Sequence, residues 1–251
     1  MRIKLPCHKC QFEDRDVRVT MPFNSNGLYT VVCPFGHESS IGLQQQLFEV
    51  LAETGVQALV DGYYRDAVSS FMASLERAYE FFIRAVLLDR EIEFGIVDAT
   101  WKTVASQSER QLGMFIGLYA SEMKTAAPVL DQKMVTFRNG VIHKGQIPTF
   151  DEALGFAQAV VDIVQPMLSL MSDRYHEPVG LLIDWHLLSA VKSVEELHKA
   201  RSTLYYPMIY VMEHGDIEFK IDVRQIVERR KAAAILERPE MLSADEKAHQ
   251  T

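Results

Sequence analysis

Between Ile41 and Arg174 the apolar positions recur every three or four residues, the spacing of helices that each bury one face. The pattern predicts a first helix over Leu43–Val60, weakened near Gly55 and broken by Gly62. The next segment, from Tyr63 to Glu91, carries the longest stripe: Val68, Phe71, Met72, Leu75, Ala78, Tyr79, Phe82, Ile83, Val86 and Leu87. So wide a face, with several aromatics on it, implies packing against more than one neighbour. A third helix is predicted over Ser108–Lys124, with Ser106 and Glu109 at capping-box spacing. A fourth follows Pro128, a good first-turn residue, and stops near Lys144 and Gly145, with Pro148 beyond them. Thr149 and Glu152 repeat the capping-box spacing and open a fifth helix through about Ser172. Long amphipathic helices with mostly short connections define an antiparallel bundle.

Before Ile41 the period changes from helical to alternating. "DVRVTM" places Val17, Val19 and Met21 on one face, "NSNG" is a turn signal and "LYTVV" is β-rich, which together predict a hairpin. After Tyr175 the pattern loses regularity. Two short helices are expected through Ser202, strands around His214-Gly215, and a projecting helix at "RQIVERRKAAAILERPEM". From Met241 the residues are polar and read as a disordered tail. The expected fold class is therefore mainly α: an antiparallel helical bundle with a small N-terminal β module and a mixed C-terminal extension. The corresponding divisions are residues 1–42, 43–174, 175–240 and 241–251.

The cysteines sharpen the reading of the N-terminal module. All three lie in the first 33 residues, and with His37 they form Cys7-x2-Cys10 and, 22 residues on, Cys33-x3-His37. An odd number of cysteines does not make a complete disulfide framework. Two short chelating loops of two ligands each are what a tetrahedral zinc ion requires, so Cys7, Cys10, Cys33 and His37 are expected to hold structural Zn2+ in a zinc-ribbon-like clip. Gly36 gives the second loop freedom to turn back toward the metal, and Pro34 limits the entropy of its open form. So short a unit has little core of its own, and metal binding is expected to supply much of its folding energy.

Charge and composition narrow the function classes. Hydrophobic residues make up 48% and charged residues 24%, a balance that supports a buried core. The net charge of −8 disfavours non-specific coating of nucleic acid. Residues 1–45 carry five basic and four acidic residues, so the module is less acidic than the rest and is able to meet a polyanion. The first ten residues lack a signal-peptide pattern, and no apolar run is expected to reach bilayer length. A cytoplasmic protein with no membrane partner is expected.

The fourth predicted helix ends in "RNGVIH", which sets Arg138, Asn139 and His143 within six residues. A helical bundle with an Arg-x4-His motif, a polar residue after the arginine and a glutamate-bearing long helix upstream resembles the HEPN superfamily (higher eukaryotes and prokaryotes nucleotide-binding domain). The resemblance covers about Leu43–Ser172. It implies a metal-independent endoribonuclease that works as a homodimer, with two such motifs facing one another, as in toxins and antiviral-defence effectors. Other members of the family lack the motif and serve as binding or partner domains.

The residue chemistry is compatible with that reading. His143 is able to act as base or acid near neutral pH, Arg138 offers a permanently charged fork to phosphate, and Asn139 can orient either. The five-residue offset sets Arg138 and His143 about 140° apart around the helix, which favours a site shared between two chains. Glu76 is the first candidate to hold the arginine, while Glu80 is placed to pair with Arg84 at i+4. RNA is the expected substrate, with a protein trigger or an antitoxin as possible partners. The alternative is a non-catalytic dimeric sensor that binds nucleic acid or protein and carries the same structural zinc.

Overall fold

The computed structural model describes residues 2–190, 200–203, 208–209 and 220–237. Its N-terminal part contains β1 (Arg2–Pro6), a short helix α1 (His8–Phe12), β2 (Arg18–Pro22), β3 (Leu28–Val32) and β4 (Glu38–Leu43). β1 pairs antiparallel with β2, setting Leu5 opposite Val19 and Ile3 opposite Met21. β3 pairs antiparallel with β4, and a later strand, β5 (Ala200–Thr203), adds to β4 in parallel. The predicted hairpin between the Val17–Met21 stretch and "LYTVV" is therefore corrected to two hairpins. The alternating Ile3 and Leu5 of "RIKLP" supply the apolar partners for β2, and both are buried. "NSNG" links the two hairpins: Asn24 bonds to the Leu28 carbonyl and receives the Gly27 amide. Ile3, Leu5, Tyr29, Val31, Ile41 and Leu43 make a small core shared with Val50 of the first long helix.

That helix, α2 (Leu47–Asp61), starts four residues later than expected because Glu38–Leu43 is a strand. It ends where predicted, at Gly62 in the left-handed region (φ 84°). α3 (Tyr64–Asp89) is the central element, and its full apolar stripe is used. Around it pack α2, α4 (Phe94–Val104), α5 (Ser108–Met123), α6 (Gln132–Lys144), α7 (Phe150–Arg174) and α8 (His176–Ala190). Gly55 lets α2 approach α3 closely, since a Cβ there would lie 2.7 Å from the Phe71 ring. α4 escaped the periodicity argument because this 11-residue helix buries only Val97 and Trp101. α5 begins after Gln107 and not at a Ser106 cap, and α6 is capped by Asp131 through the Met134 amide, not opened by Pro128. The Thr149–Glu152 capping box of α7 is present.

α7 is 25 residues long and, by length and composition, could cross a bilayer, a longer apolar run than expected. Over half of its most apolar window is instead buried inside the protein, where Ala157, Val160, Val164, Leu168 and Met171 join the main core. α8, of 15 residues, stands where the first of the two expected short helices was placed. The rest of that stretch through Lys199 lies outside the described residues, and Ala200–Thr203 is strand. The last described helix, α9 (Val223–Glu237), does not project: it packs on α2 and α7, with Val223 and Val227 buried. The strands expected around His214 and the tail from Met241 lie outside the described residues.

Candidate functional site

The two paired hairpins bring the cysteines and His37 together. Cys7 sits at the end of β1, where its amide bonds across to the Val17 carbonyl at 2.8 Å, and Cys10 follows in α1. Cys33 opens the turn between β3 and β4; its amide donates to the His37 carbonyl, and Gly36, at φ 77°, donates back to the Cys33 carbonyl. Only a left-handed residue closes that loop, and glycine adopts it without strain. The four ligand atoms, one from each residue, lie within 4.8 Å of one another. Cys10 Sγ is 3.7 Å from Cys33 Sγ and 3.3 Å from His37 Nδ1, and Cys7 Sγ is 3.9 Å from the same nitrogen.

Bonds of about 2.3 Å from a tetrahedral ion to sulfur would separate two sulfurs by about 3.8 Å, so the spacing fits a metal ion. All three cysteines are buried and free of disulfides. Burial, and then the neighbouring Cys7 and Cys33 thiols, push the Cys10 thiol up to about 11. At Cys33 burial acts in the same upward direction, but the His37 and Phe35 amides together with the Cys7 and Cys10 thiols outweigh it and lower its pKa. Such a pocket of thiols can hold a cation in place of their protons. His8 bonds to Gln11 Oε1 at 3.2 Å.

The second candidate lies at the C-terminal half of α6. Buried Val141 pins this helix against the bundle, Gly145 ends it in the left-handed region, and the Arg65 guanidinium of α3 reaches the Ile142 carbonyl at 3.5 Å. Arg138 donates to Asn139 Oδ1 at 2.9 Å, and its Nη2 lies 3.9 Å from Glu76 Oε1 on α3. Both side chains of that long ion pair are about four-fifths buried. Arg138, Asn139 and Glu76 thus form one connected group. His143 is not part of it: this residue is exposed one turn further on and, among the described residues, its imidazole makes no hydrogen bond. The Gln146 carboxamide folds over Gly140, midway between Arg138 and His143, where any Cβ would collide with it.

Two arginine partnerships on α3 bear on the sequence expectations. Glu80 takes Arg84 at 2.9 Å as its spacing suggested, and also holds Arg77. Sequence spacing gave no sign that Arg84 reaches on to Asp98 of α4, because that contact crosses between helices.

Fold and site together define a mainly helical protein with an N-terminal Cys3His cluster able to hold a metal ion. Comparison of the chain with protein-family models, curated proteins and solved structures finds no match.

Proposed function

We propose that the protein is a HEPN-type, metal-independent endoribonuclease of the toxin or antiviral-defence kind, acting in a cytoplasm as a homodimer, with a structural zinc in its ribbon. The observation that carries this reading is the Arg138–Asn139–Glu76 group at the end of a packed helix, with an unengaged, exposed imidazole one turn away. Glu76 acts as a positioning residue that fixes the guanidinium, whose remaining N–H donors can face a phosphate. In the proposed reaction His143 takes the proton of a ribose 2′-OH, and the 2′-oxygen attacks the adjacent phosphorus. The P–O5′ bond then breaks, leaving a 2′,3′-cyclic phosphate, and the departing 5′-oxygen gains its proton from His143 of a second copy. Arg138 stabilises the added negative charge on the phosphoryl oxygens.

Zinc is the metal that three thiolates and one imidazole favour, and four protein ligands leave no open position for catalysis. Its role in the proposal is to close the two hairpins. A reading as a non-catalytic dimeric sensor draws on the separation of His143 from Arg138 within one chain, which suits anion binding as well as cleavage.

Incubation of total RNA with the purified chain in EDTA separates the two readings. The parent is expected to cut, and Arg138→Ala and His143→Ala to lose roughly 100-fold or more of the rate, the scale of a lost acid–base or charge-stabilising group. Equal cutting by the variants, or none by the parent, rejects the nuclease.

A further inference from the structure

On another face of α3 a cleft of about 410 Å3 opens between the start of α2, α4 and α8. That volume is in the range of small-molecule sites. One wall is a ladder of charges: Arg77 and Arg84 share Glu80, Arg84 reaches Asp98 at 3.3 Å, and Lys102 closes on Asp98 at 2.7 Å. Arg77 and Arg84 are held further by lying over the Trp101 ring, at 5.4 and 5.9 Å. The opposite wall is apolar and aromatic: Trp185 packs at a tilt on Phe94 with centroids 4.0 Å apart, yet remains 51% exposed at the cleft.

Glu80 and Asp98 each have both carboxylate oxygens engaged. Arg77 uses two N–H groups, on Glu80 and Gln111, and Arg84 uses two, on Glu80 and Asp98. A guanidinium has five N–H donors, so both arginines keep donor capacity for a further acceptor. Arg77 and Arg84 line the cleft with Glu80 and Asp98, and Lys102, outside the lining, adds a third cation on Asp98. A ligand that completes this wall must bring acceptors and negative charge. A ligand that covers the half-exposed indole must bring a flat apolar face.

We infer that this cleft binds a small aromatic anion, with its planar ring against Trp185 and its carboxylate or phosphate on Arg77 and Arg84. The site does not use the Arg138–His143 motif, so it stands or falls independently of the nuclease reading. His186 ties its wall to the metal-binding half. This imidazole donates to the Leu43 carbonyl at the end of β4 and lies beside Gly27, and burial lowers its pKa, so it is neutral at pH 7.

Of the two tryptophans of the chain, Trp185 lines the cleft and buried Trp101 lies against its Arg77 and Arg84, so intrinsic fluorescence reports on it. The full-length, metal-loaded chain is titrated with benzoate and with AMP as ring-plus-anion probes, and with adenosine and inorganic phosphate as the separate halves. The expected result is saturable quenching by benzoate, AMP or both, with each half at least tenfold weaker. Arg84→Lys keeps a cation beside Glu80 and Asp98 but removes the fork, and is expected to weaken the bound probe tenfold or more. Trp185→Leu, with Trp101 as the remaining reporter, is expected to lose the preference for the ring. Absence of saturable binding by both benzoate and AMP overturns the inference. So does equal affinity for inorganic phosphate, or unchanged affinity in Arg84→Lys.

Discussion

Glu122 shows how much a single buried carboxylate depends on its partners. Its side chain is 5% exposed and accepts two bonds from Arg90, at 2.6 and 2.8 Å, and one from the Tyr175 hydroxyl at 3.1 Å. The Arg90 bonds lead in holding its pKa below the ordinary 4.5; burial opposes them, and the Tyr175 bond assists. A depressed carboxylate contributes stability that is present above its unfolded pKa and lost as pH falls through the folded one. Stability should therefore decline as the pH drops below about 4.5, and Glu122→Gln should flatten that part of the curve in urea unfolding followed from pH 7 to pH 3. Burial raises the Tyr175 hydroxyl to about 12, so it stays a donor throughout this range. None of this was legible from sequence, because Arg90, Glu122 and Tyr175 are brought together by three different helices. Arg138, Asn139 and His143 could be singled out because they fall in one short stretch of one helix. The position of Glu76 beside Arg138 followed from its place at the edge of the α3 stripe.

At the scale of elements, local signals set the helix ends that could be read: Gly62, Gly145 and the Thr149–Glu152 box. The strand pairing could not be read that way. β2 pairs with β1, not with β3 as its alternation suggested, so Cys7 and Cys10 lie in one hairpin turn and Cys33 and His37 in the other. The Cys-x2-Cys and Cys-x3-His spacing pointed to the four clustered residues without that knowledge, since chelate geometry constrains spacing more tightly than pairing does. Cys10→Ser should reduce bound zinc from about one per chain to near none by elemental analysis, with loss of the N-terminal β structure. Full zinc occupancy in that variant would remove Cys10 from the ligand set. Gly55, which the sequence marked only as a weak point, is where two helices touch. Gly55→Ala should cost about 1–3 kcal/mol in chemical denaturation, despite the better helix propensity of alanine, because its Cβ overpacks Phe71.

For the whole molecule, the C-terminal third closes back on the N-terminal half. β5 extends the sheet of the second metal hairpin, and α9 docks on α2. The docking centres on Glu53, 2% exposed, which receives Arg230 through two bonds at 2.6 and 2.8 Å and the Met208 amide at 2.6 Å. Arg230→Ala would strand a buried carboxylate and should lower unfolding stability by about 3 kcal/mol, while Glu53→Gln with Arg230→Ala together should recover part of that loss. Sequence patterning identified the helix but left it unattached, since a 177-residue separation between ion-pair partners leaves no local trace.

The proposed chemistry joins these scales: a residue group fixed by α3, a helix end fixed by its cap, and a second copy to complete the site. The most direct test is to map the ends of RNA after incubation with the full chain and with His143→Ala. The parent should yield 2′,3′-cyclic phosphate and 5′-hydroxyl ends, and the variant about 100-fold fewer. Intact RNA with the parent, or the same ends in equal yield from both proteins, would contradict that chemistry.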